Sequence, residues 1–251
     1  MRVKLNVIFL VIMVLLTSGS VPSRVDAKVL DGTSLASTQE KTVICIDAGH
    51  QSKANNAKEP IAPGSQTVKP KVSSGTQGIA TGKPEYKLTL EVALKLEQAL
   101  QKEYKVVMVR RTNNVDISNM GRATRCNQVG ADLTLRLHAD GSDNRSIQGM
   151  SFLYPSADSS STKKISSQSF EIAKVLSKAV LKETQATSRG IIARSDLTGF
   201  NWSTVPVLLI EMGFMTNHKE DLKLSQAAYQ DKIVQGIKEG LDSYYKVAAK
   251  K

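Results

Sequence analysis

Apolar positions recur along this chain in two rhythms. Short apolar runs of strand type stand at TVICID (42–47), KVVMVR (105–110), ADLTLRLHAD (131–140), QGMSFLYP (148–155), RGIIARS (189–195) and VPVLLIEM (205–212), the last with the character of a strand covered on both faces. Between them the period lengthens. Leu88, Val92, Leu96 and Leu100 repeat at helical spacing within 84–104, a second helical segment covers 117–131, a long amphipathic one covers 163–185, and the last runs from 226 to 245. Strands alternating with helices of this length predict an α/β fold: a single domain over 42–246, built on a mostly parallel, twisted sheet of about six strands with helices on both faces. Such sheets take their ligands at the carboxyl ends of the strands. One stretch, 51–84, breaks the rhythm with thirty-four residues rich in Gly, Ser, Pro and Lys. An irregular connection of that length is expected to be a rim loop over a site.

The amino terminus follows a different logic. Two cations in MRVKLN precede an unbroken apolar run from Val7 to Leu16, and small residues then lead to Ala27. Ten apolar residues span a bilayer poorly, so residues 1–27 are expected to be a secretory signal peptide, with 28–41 a polar linker to the folded part. Export changes the meaning of the charge. The chain carries a formal net charge of +11, from which Arg2, Lys4 and Arg24 against Asp26 take a net two, leaving +9. A basic extracytoplasmic protein meets anionic envelope polymers before it meets nucleic acid. A nucleic-acid partner is not expected, because 5% aromatic content and a single tryptophan, Trp202, supply few stacking platforms. Cys45 lies in a strand pattern and Cys126 in a helical one. Two buried free thiols are favoured there over a disulfide, although export permits the bridge.

The chemistry gathers at strand ends. In VPVLLIEMG the apolar run passes without a turn into Glu211, and a buried carboxylate needs either a polar cleft or a cation. The first strand ends in DAGH with His50, and the third in LHAD with His138. Glu85 opens the helix that follows the long loop and so falls at the same sheet edge. Two imidazoles and a carboxylate form the usual ligand set of a catalytic zinc ion, and a further carboxylate beside the bound water serves as general base, a role that suits Glu211. Asp47 and Asp140 lie close enough in sequence to orient a histidine. His218, after Asn217 at the start of a short helical segment, is expected to be a solvated or capping residue.

Taken in order, IDAGH, PEYKLTLEVALKL, VVMVRRT, ADLTLRLHAD and VPVLLIEMGFMTN resemble the motifs of the type 3 zinc-dependent N-acetylmuramoyl-L-alanine amidases, over roughly 42–246. The resemblance implies metal ligation by His50, Glu85 and His138, and a catalytic Glu211. It implies a secreted, cell-wall-directed enzyme of autolysin type that cuts peptidoglycan between the lactyl group of N-acetylmuramic acid and the L-alanine of the stem peptide. Peptidoglycan is then the partner, with anionic wall polymers as a further contact, and a monomer is expected. Three features depart from the family pattern: Gln51 follows His50 where glycine is common, Asp140 follows the LHA triplet where asparagine is common, and the 51–84 loop is long. Arg194, after the short strand at 189–193, is a candidate for holding substrate carboxylates. Competing readings are a catalytically silent wall-binding or regulatory domain on the same scaffold, which would lack one of the four site residues, and a zinc peptidase acting within the stem peptide.

Overall fold

A computed structural model describes residues 40–248, so the expected signal peptide and nearly all of the linker lie outside the described residues. In chain order the elements are β1 (Val43–Ala48), β2 (Asn55–Pro60), β3 (Val68–Val72), α1 (Glu85–Leu100), β4 (Lys105–Met108), α2 (Asn119–Gln128), β5 (Leu133–Asp140), β6 (Met150–Pro155), α3 (Lys163–Thr184), β7 (Ser188–Arg194), α4 (Thr198–Asn201), β8 (Val207–Phe214), α5 (His218–Leu224) and α6 (Ala227–Ala248). The main sheet has the six expected strands in the order β4-β1-β5-β8-β6-β7. All neighbours run parallel except β6 and β8.

Side chains alternate across a strand, and in this sheet the alternation separates two kinds of chemistry. Ile44, Ile46 and Ala48 of β1, Leu133, Leu135 and Leu137 of β5, and Leu208, Ile210 and Met212 of β8 all join one core with α1, α3 and α6. That face is wholly apolar. The intervening positions face α2 and α4, where apolar residues occupy only the amino-terminal part of each strand: Cys45 packs near Cys126, and Val207 and Leu209 pack near Phe200. Further along the same face come Asp47 on β1, Arg136 and His138 on β5, and Glu211 on β8. Register pairs Asp47 with Arg136 and His138 with Glu211. The carboxyl end of this face is therefore a polar patch on a rigid apolar base.

Two sequence expectations are corrected here. Cys45 and Cys126 form a disulfide, with Cα atoms 5.6 Å apart. Cys45 stands two residues before Asp47 on β1, and Cys126 one helical turn after Arg122 on α2. The bridge therefore runs beside the ion pair between Asp47 and Arg122, and both tie α2 to β1. The 51–84 stretch does edge the clefts at the sheet end, through Lys69, Pro70, Gly75 and Thr76, but it is not irregular throughout: it holds the antiparallel hairpin β2–β3. The hairpin is fastened by buried Glu59, which accepts from the Met120 N–H at the start of α2, and by the Trp202 Nε1–H, which donates to the Pro60 carbonyl at 2.9 Å. The hairpin shows no apolar period in the sequence because Glu59 and Val72 are its only buried strand residues, the rest being exposed or half-buried.

The disulfide closes a loop across 81 positions of sequence, long enough for a large chain-entropy effect. Replacing both cysteines by alanine is expected to lower the unfolding free energy by about 2–4 kcal/mol, read from urea unfolding. Equal urea midpoints for parent and double variant would contradict this.

Candidate metal centre

Three donor atoms converge at the carboxyl end of the sheet. His50 Nε2 lies 3.0 Å from Glu85 Oε1, His138 Nδ1 lies 3.2 Å from the same oxygen, and the two ring nitrogens are 3.1 Å apart. Ligands held about 2.0–2.1 Å from a common tetrahedral ion stand roughly 3.3–3.4 Å from one another, so the triangle matches a zinc-sized ion to within a few tenths of an ångström. Proton positions argue the same way. His50 Nδ1 lies 3.0 Å from the Ser73 carbonyl and 3.1 Å from its hydroxyl, and the tautomer that donates from Nδ1 to the carbonyl turns the Nε2 lone pair toward the other two donors. Burial is the largest influence on His138 and pushes its imidazole down to about 4, leaving it neutral at physiological pH. For Glu85, burial raises the carboxyl pKa, but the hydrogen bonds and charge of His138 and His50 outweigh it and hold the group below the ordinary carboxylate range. Two imidazole nitrogens and a carboxylate oxygen gathered this closely form a donor set that a cation fits.

Each ligand has its own fixings. Glu85 is the first residue of α1, and its side chain is 4% exposed against 16% for His50, so the imidazole edge is the one open to solvent. Its Oε1 accepts from the Ala139 N–H at 3.0 Å and its Oε2 from the Thr76 N–H at 2.9 Å. His50 holds a left-handed backbone at φ 60°, a conformation that costs a non-glycine residue on the order of 1 kcal/mol. Room for the rings comes from two glycines. A Cβ at Gly49 would stand 2.4 Å from the His138 ring, and one at Gly75, itself at φ +81°, would stand 2.4 Å from Glu85 Oε2 and 2.9 Å from the His50 ring.

The strained turn at His50 is gripped from both sides by arginines. Arg122 donates to Asp47 Oδ1 at 2.6 Å, to the Ala48 and His50 carbonyls at 2.9 and 2.8 Å, and to Gln51 Oε1 at 3.1 Å. Arg110 donates to the Ala48 and Gly49 carbonyls at 2.8 and 2.9 Å. Arg136 Nε completes the ion pair on Asp47 Oδ2 at 2.9 Å. Asp47 is thus a scaffold residue, and it pairs with Arg122 and Arg136 instead of bonding a histidine. Burial raises its pKa, but the two guanidinium groups outweigh that and hold it well below the usual carboxylate range. Gln51, where the resemblance leads one to look for glycine, is buried and joins this network, accepting from the Ile117 N–H.

The structure brings His50, Glu85, His138 and Glu211 to one place. All four line a cleft of about 680 Å³, together with Thr76, Asp140, Asp143 and Thr216. His50, His138 and Glu211 also line a second cleft of about 280 Å³. Glu211 Oε2 is buried and accepts no hydrogen bond among the described residues. Burial, then the negative charges of Glu85 and Asp140, raise its carboxyl well above the ordinary range, while Arg136 and Arg194 partly offset this. Asp140 accepts from the Gly141 N–H and lines the larger cleft without bonding a histidine. His218 is exposed on α5, whose cap is the side chain of Asn217, accepting from the Lys219 and Glu220 N–H groups. Sequence reasoning missed Ser73, Thr76, Gly75, Arg110 and Arg122. The last was within reach: Arg122 and Cys126 share a helix face, just as Cys45 and Asp47 share a strand face.

Known proteins resemble this chain over most of the described residues. The family model described as N-acetylmuramoyl-L-alanine amidase matches residues 44–243. The chain is similar to the N-acetylmuramoyl-L-alanine amidase LytC of Bacillus subtilis, 26% identical over 194 residues, which is 77% of this chain and 38% of that protein. It is 28% identical over 170 residues to the N-acetylmuramoyl-L-alanine amidase CwlM of Bacillus licheniformis, covering 67% of this chain and 63% of that one. It therefore spans less than two thirds of either relative. Among solved structures, the catalytic domain of CwlV, an N-acetylmuramoyl-L-alanine amidase from Bacillus (Paenibacillus) polymyxa var. colistinus, superposes with a TM-score of 0.66 at 26% identity, covering 82% of this chain and 99% of that one.

The arginine scaffold has a pH consequence. The folded pKa of Asp47 is depressed, so its ion pairs contribute fully above the unfolded aspartate value of about 3.9 and are lost as pH falls toward the folded value. Urea unfolding between pH 7 and pH 3 is expected to show this loss in the parent and a flatter acid limb in Asp47→Asn. An identical acid limb in the two would contradict it. Arg122→Met, which strands the Asp47 charge, is expected to cost about 3–5 kcal/mol.

Proposed function

The chain belongs to the N-acetylmuramoyl-L-alanine amidase family, and from that premise we propose that it hydrolyses the amide between the lactyl group of N-acetylmuramic acid and the L-alanine of the stem peptide in peptidoglycan. The observation that carries this reading is the triangle of His50, Glu85 and His138 donor atoms at 3.0–3.2 Å, with Glu211 in register beside His138. His50, Glu85 and His138 would hold a zinc ion, which when bound polarises a carbonyl and brings the pKa of its water toward neutrality.

The protein's own part is to position groups and move protons. The Ser73 carbonyl and hydroxyl orient the His50 ring through Nδ1, and the Thr76 and Ala139 N–H groups hold Glu85 by its two oxygens. Glu211, aimed by a strand buried within the sheet, takes the proton from the attacking water and returns it to the departing alanine nitrogen. Burial first, then the charges of Glu85 and Asp140, raise its pKa above the ordinary carboxylate range, the direction that suits a carboxyl which must also give a proton back. An extracytoplasmic setting, reached by way of a cleaved leader at 1–27, suits both the disulfide and a wall substrate. The excess of Lys and Arg suits contact with anionic wall polymers.

Glu211→Gln is expected to reduce turnover of purified peptidoglycan by at least about a hundredfold while leaving zinc content and circular dichroism unchanged. Mass analysis of the parental digest is expected to give intact glycan strands and stem peptides with free L-alanine amino termini. Near-parental turnover in Glu211→Gln would remove this residue from the mechanism, and cuts within the stem peptide would overturn the substrate assignment.

A further inference from the structure

The reaction centre lies where two clefts of opposite character meet. His50, His138 and Glu211 line both. The larger cleft carries acidic and small polar side chains, among them Asp140, Ser142, Asp143 and Thr216. The smaller one carries Lys69, Arg136 and Arg194, with Leu153, Leu197 and Leu209 as apolar walls.

Cations in the smaller cleft outnumber the anions that neutralise them. Asp196 is the carboxylate lining it besides Glu211, and it serves two partners: Arg194 Nε and Nη2 reach its two oxygens at 2.7 and 2.8 Å, while Lys69 Nζ donates to its backbone carbonyl at 2.5 Å and lies 3.5 Å from Oδ2. Arg194 Nη1 has no hydrogen bond among the described residues. The carboxylate that answers Arg136, Asp47, is already shared with Arg122. Arg194, Lys69 and Asp196 are each 39–49% exposed at the side chain, and solvated pairs of this kind hold weakly enough to admit a second carboxylate.

The scissile amide of the proposed substrate divides two chemistries. On the glycan side stand hydroxyl and acetamido groups without charge. On the peptide side come the L-alanine methyl and then a residue linked through its side-chain carboxyl, whose α-carboxylate is free in some walls and amidated in others. We propose that the smaller cleft is the peptide-side subsite, in which Leu153 and Leu197 receive the alanine methyl while Arg194 Nη1 and Lys69 Nζ bind the α-carboxylate of the second stem residue, so that Arg194 sets a preference for the acid over the amide. The glycan then extends into the larger cleft. This rests on the amidase reading above.

The test uses the zinc-loaded protein and two soluble muramyl peptides that differ only in a carboxylate or a carboxamide at the second residue. The parent is expected to cut both, with KM about tenfold lower for the carboxylate, the scale of one charge-assisted hydrogen bond. In Arg194→Gln that preference disappears, through a rise in KM for the carboxylate substrate alone, and Arg194→Lys retains part of it. Any general effect of the lost cation on Glu211 falls on both substrates alike, so the ratio of the two isolates the subsite. Equal KM values in the parent, or an unchanged ratio in Arg194→Gln, would overturn the assignment. A parent that cuts neither peptide contradicts the amidase reading itself, and this proposal with it.

Discussion

Asp47, sealed between Arg122 and Arg136, is the interaction on which the geometry of the site depends. Its two oxygens take one guanidinium each, from a helix and from the neighbouring strand. An isolated buried carboxylate would cost several kcal/mol, and so would either arginine alone. Together they settle into one arrangement, and Arg122 uses its remaining donors to hold the Ala48 and His50 carbonyls. The unfavourable backbone of His50 persists because its surroundings leave it no alternative. The disulfide from Cys45 to Cys126 fastens the same strand to the same helix a few ångströms along, so covalent and ionic links restrain one contact.

The second constraint is electrostatic. Glu85 and Glu211 line one cleft, with Asp140 beside them. Their mutual repulsion, added to burial, raises the pKa of Glu211, and the buried Oε2 without a hydrogen bond records the same tension. A divalent cation held by His50, Glu85 and His138 would relieve it. Here the sheet matters more than any single residue. Because side chains alternate, the apolar face can be packed against α1, α3 and α6 with no compromise for function, and every charged site residue on a strand falls on the other face.

Much of this was legible in the chain. The alternation of strand and helix periods located the six strands of the main sheet and four helices to within a few residues, because most of them bury an apolar face, and the strand ends then picked out His50, His138 and Glu211. Glu85 followed from its place at the start of α1. What stayed hidden depends on backbone groups and on long-range pairing. The Ser73 carbonyl and the Thr76 N–H carry no side-chain signature, and the β2–β3 hairpin has no apolar period, since it is held by Glu59, Trp202 and its own ladder. The disulfide was misjudged because the strand and helix were read one at a time. The pairing of Arg122 with Asp47 aligns Cys126 with Cys45, and that pairing exists only once the two elements meet.

The central claim is that His50, Glu85 and His138 together hold one metal ion, and calorimetric titration of the metal-stripped protein with Zn²⁺ tests it most directly. One equivalent is expected to bind the parent tightly, and Glu85→Ala, folded by circular dichroism, is expected to bind at least about a hundredfold more weakly, the scale of losing one of three ligands. Zinc bound as tightly by the Glu85→Ala protein as by the parent would contradict the account.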